Sequence, residues 1–271
     1  MKPSELFEKT GYAIKFGVFS KEEIADMRDK VRLQYEEDER NKKTFTLAKT
    51  TAKYNRGDLL SKKHLRSILL DPRVIQMAKD VLDTDRLVYF GDSTYQIGTG
   101  SRGFHRDSVD REYKSGPDWE DGYNIIRIGI YLQDHANFSG GLKIKIASHK
   151  NASGKSIFIN SNAGDVATWS LKTLHSGNAV RLKGLRGFSI DNSSIENRIP
   201  DFLKKDQQQE RMSLFMTYGV AGPFVDRYIS EYMLKRTDVM ESLKASDYDN
   251  EAIQLIATRG IDLIRPLDRL S

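Results

Sequence analysis

The stretch GGLKIKIASH, residues 140–149, decides the interpretation of the fold because its side chains alternate with a period of two. Leu142, Ile144 and Ile146 alternate with two lysines, as in a β-strand that has one apolar and one polar face. Other segments of this kind are RLVYFGDSTYQIG, NIIRIGIYLQD, KSIFIN, DVATWSLKTLHSG and RMSLFMTYG. Such a series, separated by Gly, Asn, Asp and Ser, predicts an antiparallel sandwich or barrel over about residues 86–220.

Helical patterns lie on both sides of this β core. Ser20 is a good N-cap for the helix that follows it, and Glu23 completes a capping box. Pro72 suits the first turn of a helix over residues 71–83. The segment from about residue 224 to 260 predicts a helical tail.

The order of these patterns favours one domain over residues 1–271. It is expected to be mainly β with flanking helices: a helical N-terminal layer, a β core and a helical C-terminal tail. All-β barrels and sandwiches commonly reach this length as one unit, and the chain shows no internal repeat.

The composition limits the classes of protein that the chain can represent. Hydrophobic residues make up 38% and charged residues 30%, which is ordinary for a soluble globular protein. No run of apolar residues is long enough for a membrane span. The N-terminus lacks the apolar core of a signal peptide, so a cytoplasmic location is expected. The net charge of +5 arises from scattered Lys and Arg rather than a basic block, which argues against nucleic-acid binding. Cysteine is absent, so a metal would be held by His, Asp, Glu or water.

A His-x-Asp triplet in GFHRDSVDRE, residues 103–112, provides two candidate metal ligands. His105 and Asp107 could equally be polar residues of a surface loop, so the triplet needs a third ligand. His175 ends a strand-like segment, and strand ends far apart in sequence can converge at one mouth of a rolled-up double sheet. Two imidazoles and one carboxylate leave three metal positions open, as non-haem iron oxygenases need for 2-oxoglutarate and O2. A structural zinc site would instead tend to close its coordination shell.

The distal carboxylate of 2-oxoglutarate also needs a binding group, and a guanidinium can hold it with paired hydrogen bonds. Arg211 stands at the head of the strand RMSLFMTYG, and Ser213 follows two residues later on the same face. The Arg-x-Ser pattern therefore predicts a carboxylate-binding pair.

In their order along the chain, six segments resemble the phytanoyl-CoA dioxygenase-like branch of the iron(II)/2-oxoglutarate-dependent oxygenases. They are FEKTGYAIKFGVFSKEEI, DPRVIQMAKDVL, FHRD, SGGLKIKIASHK, GDVATWSLKTLHSGN and RMSLFMTYG. The resemblance covers roughly residues 5–220. It implies a double-stranded β-helix of the jelly-roll or cupin type, with iron(II) held by His105, Asp107 and His175. It also adds Gln96 as a candidate 2-oxoglutarate contact, since some relatives place one on the strand before the motif.

The resemblance further implies a dioxygenase that hydroxylates an unactivated C–H and releases succinate and CO2. Asp107 favours hydroxylation because halogenating relatives lack the carboxylate ligand, although desaturation and ring formation use the same ligands. The long polar loop over residues 107–124 predicts a small polar metabolite or natural-product intermediate as substrate, and its length suits a lid. Arg106, Trp119 and Arg127 are candidates for lining the substrate pocket, although packing explains Trp119 equally well.

The sequence departs from the family at the arginine, which usually follows the second histidine closely. Arg186 lies 11 residues after His175, whereas Arg211 lies 36 residues after it. The apolar strand and Ser213 favour Arg211, so residues 181–210 are interpreted as an insertion that forms part of a lid or of the substrate pocket. If Arg186 instead bound the distal carboxylate of 2-oxoglutarate, the assignment of residues 181–210 to a lid would fail.

Two other classes of protein remain open on the residues alone. A cupin-type metal enzyme that does not use 2-oxoglutarate would not need Arg211 and Ser213. A non-enzymatic jelly-roll binding module would not need three converging metal ligands. The sequence does not predict the oligomeric state.

Overall fold

The computed structural model describes residues 2–48, 50–100, 103–185 and 187–270. The strands within these ranges are β1 (Tyr12–Lys15), β2 (Thr44–Thr46), β3 (Lys53–Asn55), β4 (Leu87–Tyr89), β5 (Ser93–Ile97), β6 (Ile125–Tyr131), β7 (Gly141–Lys145), β8 (Ser156–Phe158), β9 (Val166–Ser170), β10 (His175–Ala179), β11 (Met212–Gly219) and β12 (Ile261–Leu263). The larger sheet has the order β1-β9-β6-β11-β5-β3-β2, with β4 paired to β11 and β12 paired to β4; the smaller sheet is β10-β7-β8.

The two sheets pack face to face as a jelly roll, so the predicted fold class is confirmed. Apart from a parallel β4–β12 pair, neighbouring strands are antiparallel. Tyr131 and Trp169 from the larger sheet pack against Leu142 and Ile144 from the smaller sheet. The predicted strand segments all contain strands, because their apolar positions at every second residue fill this interior.

One lysine of β7 is not exposed, although the alternation of apolar and polar residues predicts a solvent-facing side chain. Lys143 points away from the apolar interior but is only 1% exposed. Its ammonium group donates to the equally buried Glu196 carboxylate at 2.8 Å and to the Ile190 carbonyl at 2.7 Å. Residues 190–196 therefore cover the outer face of the smaller sheet. The sequence pattern alone predicts that this face is exposed to solvent.

Helices flank the sheets on the sides that the sequence predicts. They are α1 (Pro3–Thr10), α2 (Lys21–Arg40), α3 (Arg66–Leu69), α4 (Pro72–Leu82), α5 (Ser193–Arg198), α6 (Pro223–Arg227), α7 (Thr237–Ala245) and α8 (Asn250–Thr258), with a π-helix over Tyr228–Met233 and 3-10 turns over Leu59–Ser61, Pro117–Trp119, Asp201–Leu203 and Pro266–Leu270. The capping box before α2 is confirmed, since the Ser20 hydroxyl accepts from the Glu23 amide and the Glu23 carboxylate accepts from the Ser20 amide. Within the described residues, no helix is long and apolar enough to cross a membrane.

The C-terminal region is more than a helical tail. After α8 the chain returns to the larger sheet as β12 and pairs with β4. The π-helix packs its apolar side on Phe90, Leu171 and Val225. The C-terminal helices are thereby fixed over one mouth of the jelly roll.

Candidate metal centre

The three candidate ligands meet where β10 begins. His105 and His175 exchange two backbone hydrogen bonds, with N···O distances of 3.0 and 3.1 Å. The Asp107 amide donates to the Leu171 carbonyl at 2.9 Å. The Asp107 carboxylate lies 3.7 Å from Nε2 of His105 and 3.5 Å from Nε2 of His175, and one ligand atom from each of the three lies within 4.8 Å of the others. Backbone pairing thus brings together two residues that are 70 positions apart.

Both imidazole rings direct Nε2 into the same space. Nδ1 of His105 is 3.0 Å from the Gly103 carbonyl, and Nδ1 of His175 is 3.0 Å from the Thr173 carbonyl. Because a carbonyl only accepts, each Nδ1 carries the proton and each Nε2 keeps its lone pair. Burial, and then the neighbouring His105, lowers the pKa of His175 to about 4. The imidazole of His175 is therefore neutral and available to a metal.

Asp107 supplies the negative charge of the centre. Burial by itself would raise the pKa of Asp107, but Arg127 and the two histidines hold that pKa well below its usual range. Nε of Arg127 is 3.4 Å from Asp107, while Nη2 donates to Asp92 at 3.0 Å. The Asp92 carboxylate also accepts from the hydroxyls of Thr217, at 2.8 Å, and Tyr228, at 2.9 Å. Asp92 thus fixes Arg127 beside Asp107 without a direct hydrogen bond from Nε of Arg127 to the ligand.

This donor set fits a divalent transition metal. Two neutral imidazoles and one carboxylate on one side of an ion leave further positions open, which is the arrangement of non-haem iron(II) centres. A closed structural zinc site would require a fourth protein ligand. No further His or carboxylate joins His105, Asp107 and His175 in the metal-binding cluster that the described ranges contain.

A cavity of about 210 Å³ leads from the three ligands into the jelly roll; we call it the inner cavity. One row of paired residues crosses four neighbouring strands, β3, β5, β11 and β6. Tyr54 lies opposite Gln96, Gln96 opposite Ser213, and Ser213 opposite Tyr131. Directly paired residues project from the same face of a sheet, so this row faces the interior. Trp169 lines another part of the inner cavity.

Arg211 lies two residues before Ser213, lines the inner cavity together with the three ligands, and is 2% exposed. Its Nε donates to the Gly140 carbonyl at 3.0 Å, and its guanidinium lies 5.5 Å from the centre of the Tyr131 ring. Among the described residues, Nη1 of Arg211, Oγ of Ser213 and Nε2 of Gln96 are buried without a hydrogen-bond partner. Leaving such a group unpaired costs about 1–3 kcal/mol. Arg211 and Gln96 line the inner cavity and Ser213 pairs with Gln96, so these groups indicate a ligand rich in acceptors.

Arg186, the alternative arginine, lies outside the described residues. Its neighbours Leu185 and Gly187 line a separate cavity of about 480 Å³ beside Phe158 of β8. The inner cavity is lined by neither neighbour.

A second and larger cavity, of about 620 Å³, adjoins the inner cavity at the metal ligands; we call it the outer cavity. It shares Tyr54, Thr94, His105, Asp107 and Arg127 with the inner cavity. Its remaining walls come from the β2–β3 region, the segments on either side of β5, the loop after the His-x-Asp triplet and the C-terminal helices: Phe45, Leu47, Asn55, Gly91, Asp92, Ser93, Gly103, Phe104, Arg111, Tyr228, Tyr232, Arg236, Asp238, Val239, Ser242 and Leu243. Among the described residues of 181–210, none lines the inner or the outer cavity, and their role as part of a lid or of the substrate pocket stays a prediction.

Of the three candidates for lining a substrate pocket, Arg127 lines both cavities, whereas Arg106 and Trp119 line neither. The Arg106 guanidinium is buried and donates to five backbone carbonyls, those of Lys172, Arg111, Ser148, Asn151 and Ala152. It also lies 5.0 Å from the Trp119 ring centre. Arg106 and Trp119 therefore hold the loop after the His-x-Asp triplet in place and lie outside both cavities.

Sequence reasoning missed the contribution of the C-terminal helices to the outer cavity. Tyr228, Tyr232 and Arg236 occur in a segment whose pattern resembles that of any amphipathic helix. The spacing of Tyr228 and Tyr232, four residues apart, puts the two rings in a stack with centres 4.8 Å apart. Nothing in that spacing indicates that the stack faces a site rather than a core.

Comparison with known proteins agrees with this architecture. A model of the phytanoyl-CoA dioxygenase family matches residues 7–187, which is two thirds of the chain. No curated protein sequence matches significantly. The SnoN epimerase in complex with Fe3+, α-ketoglutarate and nogalamycin RO shares the fold with a TM-score of 0.56 at 14% identity, over 80% of this chain and 82% of SnoN.

Two further solved structures are similar. HygX from Streptomyces hygroscopicus, with nickel, 2-oxoglutarate and hygromycin B bound, has a TM-score of 0.54 at 15% identity, over 79% of this chain and 85% of HygX. The α-ketoglutarate-dependent carbocyclase SnoK from nogalamycin biosynthesis has a TM-score of 0.55 at 14% identity, over 81% of this chain and 83% of SnoK. At these identities the similarity shows a shared fold.

Proposed function

The chain belongs to the phytanoyl-CoA dioxygenase family, and from that premise we propose that it is an iron(II)- and 2-oxoglutarate-dependent dioxygenase acting on a small molecule. The observation that carries the proposal is the convergence of His105, Asp107 and His175 in the inner cavity that Arg211 also lines. A cupin-type enzyme without 2-oxoglutarate would have no use for the buried unpaired donors around Arg211. A simple binding module would have no use for the three ligands.

Each part of the centre has a proposed role. His105, Asp107 and His175 hold iron(II) through the two Nε2 atoms and the carboxylate. The guanidinium of Arg211 pairs with the distal carboxylate of 2-oxoglutarate. Ser213 and Gln96, which are one cross-strand pair, donate their unpaired hydrogen-bonding groups to the same ligand.

The family match ends at residue 187, so it includes Arg186 and not Arg211. What supports Arg211 is its burial beside the inner cavity, with one guanidinium nitrogen unpaired. A planar guanidinium in such a position presents parallel N–H donors to a carboxylate, which lysine cannot reproduce.

When bound, iron and 2-oxoglutarate supply the oxidation, in which O2 is consumed and succinate and CO2 are released. The chain orients these groups and excludes water. Arg127, fixed by Asp92, holds the Asp107 carboxylate in one orientation. Trp169 and Phe215 close the inner cavity with apolar surface.

We propose hydroxylation of an unactivated C–H as the reaction, because Asp107 occupies the carboxylate position of the ligand set. SnoN is an epimerase and SnoK a carbocyclase, so the same fold also serves other outcomes. Mass spectrometry of the product separates them. Hydroxylation adds one oxygen atom, epimerisation leaves the mass unchanged, and ring closure removes two hydrogens.

The proposal predicts an optical signature. We expect the metal-free protein to bind one iron(II) per chain under anaerobic conditions, and 2-oxoglutarate then to produce a metal-to-ligand charge-transfer band. Iron binding without a 2-oxoglutarate-dependent band would support a cupin-type enzyme. Absence of stoichiometric iron binding would support a binding module. Succinate release with metabolite pools, followed by mass spectrometry, then identifies the substrate.

A second prediction concerns Asp92, which fixes Arg127 beside Asp107 in a position where Nε of Arg127 does not hydrogen-bond to the ligand. In Asp92→Asn the guanidinium of Arg127 loses its ionic partner and competes with the metal for Asp107. We expect the affinity for iron(II) or nickel(II) to fall by roughly 10- to 100-fold, as is typical for partners that support a ligand. Calorimetric titration measures this.

The matched control is Asp262→Asn, because Asp262 is an exposed carboxylate paired with Arg86 at the same 3.0 Å. Metal affinity should be unchanged in that variant. Equal affinities in Asp92→Asn and wild type would contradict the role assigned to Asp92.

A further inference from the structure

The charged groups of the outer cavity are nearly all paired with one another. Its lining includes three arginines, and two of them have carboxylate partners. Arg127 bonds to Asp92 at 3.0 Å. Arg236 forms two hydrogen bonds with Asp238, at 2.6 and 3.1 Å, and a third with the Tyr232 hydroxyl at 2.8 Å.

Arg111 is the remaining arginine. Among the residues that the structure describes, its guanidinium has no ion pair and no hydrogen bond. It lies 5.7 Å from the centre of the Tyr232 ring, and its charge is one of those that hold the pKa of Asp107 low. The base of its side chain is nonetheless fixed, because the Arg111 carbonyl accepts from the buried Arg106 at 3.0 Å. Arg111 is therefore a solvent-exposed but positioned cation at the mouth of the outer cavity, with its donors uncommitted.

The outer cavity also has apolar walls beside its polar groups. Phe45, Leu47, Phe104, Val239 and Leu243 supply aliphatic and aromatic surface. The volume of about 620 Å³ lies within the range of small-molecule sites, which combine apolar walls with a few placed polar groups. A ligand that satisfies both features has an apolar body and one anionic group.

We propose that the substrate is such an acid, with a carboxylate or phosphate bound by Arg111 and an apolar or ring-shaped body that reaches from Tyr232 to the metal ligands. This assignment rests on the proposed function, since it places the oxidised C–H beside His105 and Asp107. A guanidinium can meet either anion with two parallel hydrogen bonds. The anion selects and orients the substrate, and Arg111 is a specificity-determining residue.

Binding of matched acids and neutral analogues tests the assignment. The protein is loaded with nickel(II) and saturating 2-oxoglutarate, so that the cosubstrate site is occupied. Calorimetry then compares 2-naphthoic acid with 2-naphthamide, and benzyl phosphate with benzyl alcohol. We expect each acid to bind at least tenfold more tightly than its neutral partner, equivalent to about 1.4 kcal/mol.

Variants connect that preference to one side chain. Arg111→Gln should remove the preference for the acids, and Arg111→Lys should restore part of it. Arg259→Gln is the matched control, because Arg259 is exposed and lines neither cavity at the metal. The relative preference for carboxylate or phosphate identifies the anion.

A neutral partner that binds as tightly as its acid would overturn the proposal, as would a preference that survives Arg111→Gln. Failure of every acid to bind at millimolar concentration would also overturn it. The outcome is separate from that of the proposed function, because nickel and 2-oxoglutarate binding are measured on the same samples. If nickel and 2-oxoglutarate fail to bind, the same calorimetric comparison on the metal-free protein still measures whether Arg111 selects acids.

Discussion

His175→Ala should abolish stoichiometric iron(II) binding, and 2-oxoglutarate turnover with it. The variant removes one of only two imidazole donors, so the loss of affinity should exceed the roughly 100-fold that substitutions of supporting residues cause. His105→Ala should behave in the same way. Tryptophan fluorescence gives a direct measurement, because the Trp169 ring centre is 5.2 Å from that of His175 and a paramagnetic ion there quenches its emission.

His64→Ala is the matched control for the histidine variants. His64 is partly exposed and lies 3.7 Å from Glu37, away from both cavities at the metal. Its loss should leave iron affinity and quenching unchanged. Wild-type iron affinity in both His105→Ala and His175→Ala, with the fold intact by circular dichroism, would falsify the ligand assignment.

Arg211→Ala should raise the dissociation constant for 2-oxoglutarate by roughly two to three orders of magnitude. Removing one partner of a buried charged pair costs about 3–5 kcal/mol, and about 1.4 kcal/mol corresponds to a factor of ten. Iron affinity should stay near that of the wild type, since Arg211 is not one of the three metal ligands. Arg211→Lys should recover only part of the loss because the ammonium cannot pair with both carboxylate oxygens.

Arg186→Ala is the comparison that decides between the two arginines. We expect its 2-oxoglutarate affinity to stay within a few-fold of wild type. Titration of the charge-transfer band at constant iron measures both variants. The opposite pattern, with normal affinity in Arg211→Ala and weak affinity in Arg186→Ala, would assign the cosubstrate carboxylate to Arg186.

The sequence predicted the β core well because its signal is local. Leu142 and Ile144 alternate with polar residues over a few positions, and that period is enough to identify a strand and its inner face. The placement of His105, Asp107 and His175 followed from the family resemblance and from the position of these residues at strand ends. The structure brings their ligand atoms within 4.8 Å of one another.

What the sequence did not predict depends on contacts between distant segments. Lys143 is buried because Glu196, 53 residues later, covers it, and no local pattern contains that information. The role of Arg106 could not be predicted from the His-x-Asp motif either, since its five carbonyl partners come from three separate segments of the chain. For the same reason an ordinary amphipathic pattern could not predict that Tyr232 lines a cavity.

The backbone pairing between His105 and His175 has a consequence for how a metal is captured and released. Because each residue donates to the other's carbonyl, the two backbones cannot separate without breaking both hydrogen bonds, and the contact of each Nδ1 with a carbonyl orients its ring. They act as one bidentate chelator whose arms are already at the right spacing before the ion arrives. Little conformational entropy is lost on capture, and an ion detached from one imidazole stays close enough to rebind before it escapes. Dissociation of the metal should therefore be slower than dissociation from either imidazole alone. Exchange of one metal for another should need a chelator that competes with both imidazoles.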